Sequence, residues 1–264
     1  MHEPLSKAKL KLFTSLKAKK YRYKHKLFLI EGIKLCEEAI HSGQEIVATI
    51  LSESQVKEIS SRFSSPLPSP IYQLDDASYQ RLCSMQSPEG IMMVIRMPST
   101  IQRLPNLAAS DLVSPGIILE NIQDPGNLGT LIRTAAWFGI TNIICTKGTV
   151  DVLNPKTLRG TMGSLFHTNI YYVEDIWPWI RANAQQIWLA DMEGHPVHHM
   201  TFASEDWIVM GNEANGISAQ MRAVPNIKRV CIPGEGKAES LNVGIAAGIL
   251  MYKLYNDILW FNTL

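Results

Sequence analysis

Long apolar runs are missing from this chain of 264 residues. No stretch reaches the roughly 20 residues that a membrane-spanning helix needs, and the N-terminus has no apolar signal core. A cytoplasmic protein is therefore expected. Cysteine is sparse: Cys36, Cys83, Cys145 and Cys231 are scattered and show no C-x-x-C spacing. That pattern favours buried, reduced thiols over disulfides or a zinc centre. Nucleotide-binding fingerprints are absent too. GEGKAES lacks the spacing of a phosphate-binding loop and has Ala238 where the magnesium-binding hydroxyl belongs. No G-x-G-x-x-G follows the first strand, and there is no nucleophile elbow. His195, His198 and His199 lie in HPVHH, but no carboxylate or thiol pattern completes a metal site, so a solvated loop is expected there and no metal.

Acidic residues are also missing between Glu3 and Glu31, and there the net charge of +1 conceals an asymmetry. Lys7, Lys9, Lys11, Lys17, Lys19, Lys20, Arg22, Lys24 and Lys26 fall in that interval, interleaved with Tyr21, Tyr23 and His25. A charge run alone serves equally as a solvated face or a nucleic-acid contact. The aromatic rings add candidates for stacking or sugar contacts.

With 46% hydrophobic and 19% charged residues, the chain has the composition of a globular protein with a sizeable core. Residues 5–20 read as a basic helix. LFLIEG, ATILSES, IYQLDD and GIMMVIRM read as strands of a small αβ domain with intervening helices, SSPLPSP being a connection. Residues 98–114 show no clear pattern and read as a linker. From Gly116 onward, apolar strands alternate with helices, which predicts a largely parallel sheet with helices on both faces. The fold class is α/β. The expected domains are a basic arm over 1–22, an αβ domain over 23–98, a linker over 99–114 and a second αβ domain over 115–264.

The second domain is organised around KRVCIPGEGKAESLNVGIAAGILMY, residues 228–252. A short apolar run stops at Pro233, a Gly-rich turn follows, and Ser240 is the expected N-cap of a helix running to about Leu259. Exposed amides beside a helix N-terminus make a ligand pocket that needs no metal. Two further stretches accompany it, IILENIQDPGNLGTLIRTAAWFGI (117–140) and IVMGNEANGIS (208–218). The three carry N-x-G-x-x-x-R, G-x-E-x-x-G and I-P…S-L-N-V, in that order. Together they resemble the signature motifs of the SpoU/TrmH family of S-adenosylmethionine-dependent RNA ribose 2'-O-methyltransferases. The region containing LFLIEGIKLCEEAI and QSPEGIMMVI resembles, more loosely, the RNA substrate-binding domain that precedes many such enzymes.

The resemblance implies a C-terminal domain with a deep trefoil knot, a homodimer packed through it, and S-adenosylmethionine as cofactor. It implies Arg133, Asn127, Glu213, Ser240 and Asn242 as catalytic residues. Arg133 matches the family's essential arginine. A guanidinium stays protonated in proteins, which favours orienting the RNA over accepting a proton. Asn127 and Asn242 are expected to fix Arg133, the cofactor carboxylate or the motif loops. Glu213 is expected to pair with Arg133 or to hold the helix N-terminus of another motif. Cofactor contacts fall to Gly211, Ile232, Pro233, Leu241 and Asn242, with Ala190 and Asp191 as weaker candidates. RNA contacts fall to Lys17, Lys19, Lys20, Arg22, Lys24, Lys156 and Arg159. Thr161-Met162-Gly163-Ser164 and Gly244 depart from the family pattern, which bears on substrate contacts more than on chemistry. Ribosomal RNA is favoured as substrate over transfer RNA. A member of the fold that binds RNA without catalysis is a further alternative, opposed by the five intact catalytic candidates.

Overall fold

A computed structural model describes residues 5–63, 66–108, 112 and 114–262, with the side chains of 260–262 left aside. In chain order the first elements are α1 (Lys7–Ser15), α2 (Lys19–His25), β1 (Leu27–Glu31), α3 (Ile33–His41), β2 (Ile46–Ser52), α4 (Val56–Arg62), β3 (Ile71–Leu74), α5 (Asp76–Leu82) and β4 (Ile91–Arg96). They continue with β5 (Ile101–Asn106), β6 (Gly116–Leu119), α6 (Pro125–Trp137), β7 (Asn142–Thr146), α7 (Pro155–Thr161), β8 (Asn169–Asp175), α8 (Trp177–Ala182), β9 (Ile187–Pro196), β10 (Trp207–Met210), α9 (Ala219–Arg222), β11 (Lys228–Cys231) and α10 (Val243–Asn262).

The chain forms two compact units. One comprises Met1–Ser99 together with Asp151–Phe166; the other comprises Thr100–Val150 and His167–Leu264. The segment carrying α7 thus belongs to the first unit, whereas its sequence lies within the domain expected over 115–264.

In the first unit four strands run in the order β1-β4-β2-β3, with β1–β4 and β4–β2 antiparallel and β2–β3 parallel. LFLIE of β1 is buried throughout, as a strand covered on both faces must be. The expected single helix over 5–20 is two helices. α1 ends at Ser15 and α2 begins after Ala18, an extended residue with φ −91° and ψ 131°. Phe13 and Leu16 sink into a cluster with Leu29, Ile50, Tyr72 and Leu82, and this burial fixes α1 on the sheet.

The second unit holds seven strands in the order β11-β9-β10-β6-β7-β8-β5, every neighbouring pair parallel. β6 and β10 lie side by side at its centre, Leu119 opposite Met210. Successive connections leave this pair in opposite directions, so ligands are expected at its carboxyl end. Two expectations differ here. The region read as a linker contains β5, whose IQRLPN is an edge strand with only Ile101 buried and tolerates Pro105 because it lies at the edge. His195 belongs to β9, which extends to Pro196, and His198 and His199 sit in a 3-10 turn rather than an open loop. No group of three metal-ligating side chains occurs among the described residues, and no helix of the described residues is long and apolar enough to cross a membrane.

Candidate active site

All three motif loops lie in the second unit, and hydrogen bonds join them into one framework. The first begins at the carboxyl end of β6. Asn121 adopts a left-handed conformation with φ 55°, which turns the chain sharply away from the strand. Asp124 then caps α6, its carboxylate accepting from the N–H groups of Gly126 at 2.7 Å and Asn127 at 2.9 Å, with Pro125 in the first turn.

The second loop follows β10. Gly211 is required by close approach: a Cβ there would lie 2.4 Å from the carbonyl carbon of Gly216 and 2.5 Å from the nitrogen of Ile217. Those contacts are backbone, which cannot move aside. Within the loop, Asn212 Oδ1 accepts from the N–H groups of Ala214 and Asn215, while its Nδ2 donates to the Asn121 carbonyl at 2.8 Å. Glu213 accepts from the N–H groups of Gln123 at 3.1 Å and Asp124 at 3.0 Å, and from Asn127 Nδ2 at 3.2 Å. Partial burial pushes the Glu213 carboxyl up, but hydrogen bonds from the N–H groups of Asp124, Glu213 and Gln123 and from the Asn127 side chain outweigh it. The group therefore titrates below the usual glutamate value. Glu120 completes the junction, receiving Ser218 Oγ at 2.6 Å and Ser218 N–H at 2.9 Å.

The third loop joins through Asn242. Its Nδ2 donates to Asn127 Oδ1 at 3.1 Å, and its Oδ1 accepts from the N–H groups of Gly244 at 2.8 Å and Ile245 at 3.4 Å. Asn242 therefore caps α10, which starts at Val243, rather than the expected Ser240. Ser240 is exposed and lies in an irregular segment.

Arg133 is exposed on α6, and its side chain makes no hydrogen bond or ion pair among the described residues. Glu213 does not hold it; of the two roles expected for Glu213, the structure has the bracing of the first motif's helix N-terminus. Of the cofactor candidates, Gly211 follows β10 and is buried, Ile232 follows β11 and is half-buried, Ala190 lies within β9 and is half-buried, and Pro233 and Leu241 are exposed, Leu241 by 47%. Asp191, next to Ala190, is buried within an ion contact of 2.9 Å to Arg222 Nε that lacks hydrogen-bond alignment, while Arg222 Nη2 donates to its other oxygen at 3.3 Å.

Sequence reasoning overlooked Glu120, Asn212, Ser218 and Arg222. Ser218 before AQMR carries a capping signal, and Asn215-Gly216 a turn signal. Nothing local announces that Glu120 meets Ser218.

The RNA candidates belong to the first unit. Lys19, Lys20, Lys24 and Lys156 are exposed. Lys17 donates to the carbonyls of Arg81 and Cys83, and Arg159 to Ser84 Oγ at 2.9 Å. Arg22 departs from expectation. Only 4% exposed, it pairs with Asp151 at 2.6 Å and donates to the Leu16 and Lys17 carbonyls. It locks the helices together and is not a surface cation. This unit also holds an open cleft of about 810 Å³ whose lining mixes Lys34, Arg62 and Arg159 with Glu31, Glu37, Glu58 and Glu89. That mixture of charge singles out no ligand.

A largely parallel α/β sheet with three hydrogen-bonded loops at its carboxyl edge is the architecture of a cofactor-dependent enzyme, and the comparisons with known proteins define which. Residues 115–252 match the SpoU rRNA Methylase family and residues 7–93 the MRM3-like substrate binding domain. The chain belongs to the SpoU rRNA Methylase family. It is 33% identical, over 96% of its own length and 98% of the relative's, to the 23S rRNA (guanosine(2553)-2'-O)-methyltransferase RlmP of Bacillus subtilis strain 168. Among solved structures it is similar to a putative RNA methyltransferase of the TrmH family from Porphyromonas gingivalis, with a TM-score of 0.76 and 26% identity, covering 96% of this chain and 98% of that one. The AdoMet-bound rRNA methyltransferase from Sinorhizobium meliloti shares the fold, with a TM-score of 0.76 at 24% identity over 97% of each chain.

Proposed function

We propose that this protein methylates a ribose 2'-hydroxyl in ribosomal RNA, with S-adenosylmethionine as the methyl donor. The observation that carries the reading is the framework Glu213–Asn127–Asn242, in which one residue of each motif is hydrogen-bonded to the next. When bound, the cofactor would supply an activated methyl carbon to the ribose 2'-oxygen, leaving as the neutral thioether while the hydroxyl proton passes to solvent water.

The residues present fit that cofactor. Ile232 and Leu241 offer incompletely buried apolar side chains to an adenine, the backbone at Gly211 approaches closely without a side chain, and Pro233 and Ala190 flank these positions. Asn127, Glu213 and Asn242 brace the loops. Arg133, which no carboxylate neutralises among the described residues, orients the RNA phosphate and ribose and stabilises developing negative charge. Ser240 donates to substrate from its exposed segment.

The same proposal includes the family's trefoil knot, a cytoplasmic location and a homodimer through the C-terminal unit. Support for the dimer comes from α10, where Ile245, Ile249, Tyr252 and Leu259 form an exposed apolar stripe, with Tyr252 57% exposed, and from Trp137 on α6, 83% exposed. A soluble monomer rarely leaves such a stripe open.

The test is transfer of labelled methyl from S-adenosylmethionine to purified 23S, 16S and transfer RNA, by wild type and Arg133→Ala, followed by mapping of 2'-O-methyl nucleotides. Label confined to ribosomal RNA and lost in the variant supports the proposal. Label confined to transfer RNA, or cofactor binding without transfer to naked RNA or ribosomal subunits, refutes the substrate or the activity respectively.

A further inference from the structure

The basic run of the first unit divides into cations used internally and cations left at the surface. Lys9 binds the Tyr72 hydroxyl, Lys17 binds two carbonyls, and Arg22 is buried against Asp151. Lys7, Lys11, Lys19, Lys20, Lys24 and Lys26 remain exposed. The rotation of α2 about its axis is set by the first group. Arg22 Nη2 reaches Asp151 Oδ2 at 2.6 Å, and Tyr23 donates its hydroxyl to Asp151 Oδ1 at 2.7 Å.

With these two neighbours turned inward, the helical repeat places Lys20, Tyr21, Lys24 and His25 on the opposite arc. Tyr21 and His25, four residues apart, hold their rings within 16° of parallel, with centroids 6.3 Å apart. Tyr21 is 38% exposed, and an exposed lysine precedes each ring along the chain. No acidic residue occurs between Glu3 and Glu31 to neutralise this face.

We infer that this arc of α2 is a stacking platform for an unpaired RNA base, with Lys20 and Lys24 taking the phosphates on either side of it. The inference rests on the proposed action on RNA and specifies the kind of RNA that this element recognises. The exposed Tyr21 ring, held near-parallel to the His25 ring behind it, offers a flat, sequence-indifferent surface, and an unstacked base is the partner that can cover it, because inside a helix both faces of a paired base are already covered by its neighbours. Amines flanking the rings supply the phosphate attraction that brings the strand there. A merely solvated helix face would require neither parallel rings nor their regular alternation with cations.

The test uses the full-length protein and a short single-stranded RNA carrying one 2-aminopurine, with the same oligonucleotide annealed to its complement as the control. The expected result is quenching of the 2-aminopurine in the single strand only. Tyr21→Phe retains it. Tyr21→Ala abolishes it and weakens binding by roughly 5- to 100-fold, the range for losing one base–aromatic stack. Lys20→Gln with Lys24→Gln weakens binding and lowers the salt slope by about 1 to 2, while the quench at saturation persists. Equal quenching with the duplex, or Tyr21→Ala behaving as wild type, overturns the platform. If wild type methylates ribosomal RNA in the same preparation yet shows no Tyr21-dependent quench, the platform fails and the proposed function stands. A wild type that neither binds nor methylates RNA overturns both.

Discussion

Asn242 donates to Asn127 across 115 positions of sequence, at 3.1 Å, while its own oxygen caps α10. One amide thus ties the start of the last helix to the start of α6. The two functions separate by substitution. Asn242→Asp keeps an oxygen for the cap and places negative charge at a helix N-terminus, where it is favourable, but removes the donor to Asn127. Asn242→Ala removes both. Thermal unfolding is expected to show a loss of about 1 kcal/mol for the alanine variant and little for the aspartate. Titration with S-adenosylmethionine is expected to show both variants weakened. Equal stability losses in the two would remove the cap from the account.

Glu213 is an acceptor for two backbone N–H groups and one amide. Its carboxyl is held below the usual glutamate value, partial burial being outweighed by those hydrogen bonds. A depressed native pKa contributes stability that is present above the unfolded value, about 4.3, and lost as pH falls through the lower native value. Between pH 6 and 9 Glu213 is therefore ionised throughout and contributes no inflection to the rate. Glu213→Gln turns an amide toward three donors and should raise amide exchange at Gln123 and Asp124, with weaker cofactor binding across that range. A wild-type rate inflection near pH 7 that vanishes in Glu213→Gln would contradict this assignment.

Much of this was legible in the sequence because the signals are local. Asp124-Pro125 announces the start of α6, strands such as IIL and WIVM are unbroken apolar runs, and the motif spacing carried the family. What was not legible depended on partners far along the chain. Arg22 looked like its neighbouring lysines until Asp151, 129 positions later, appeared beside it. Ser240 and Asn242 are both good caps, and only the loop's path and Asn127 decide between them. β5 lacks a strand pattern because one edge is bare, so a single buried residue, Ile101, suffices. Segment 151–166 reads as part of the second domain because sequence proximity says nothing about which core Leu158 and Phe166 enter.

The Arg22–Asp151 pair supplies a stability test. Both side chains are almost fully buried, 5% and 6% exposed. Removing one partner from such a pair leaves an uncompensated charge and costs about 3–5 kcal/mol. Asp151→Ala is therefore expected to lower stability by that order in urea denaturation, and Arg22→Met with Asp151→Leu to recover much of it. The Arg62–Glu58 pair, more than half exposed on α4, is the internal control. Glu58→Ala should cost no more than about 0.5 kcal/mol. A similar small loss for Asp151→Ala would mean that water reaches Arg22, and α2 would then not be rotationally fixed.

The four cysteines test the cofactor site without a turnover assay. Burial, reinforced by Glu89, Glu31 and Glu37, pushes the Cys36 thiol well above its ordinary value. Burial and Glu31 push Cys83 up to about 12 against the opposing pull of Lys17. Cys145 is buried on β7, whereas Cys231 is half-buried at the end of β11. The thiolate is the nucleophile, so at pH 8 iodoacetamide should label Cys231 first and the other three only on unfolding. Cys231 immediately precedes Ile232, a proposed wall of the adenine pocket. Saturating S-adenosylmethionine should therefore slow labelling of Cys231 in the native protein, and Leu241→Asp should abolish that protection together with cofactor binding. Unchanged labelling in the presence of bound cofactor would move the adenine away from the β11 turn and leave Gly211 and Ala190 as the remaining candidates for its contacts.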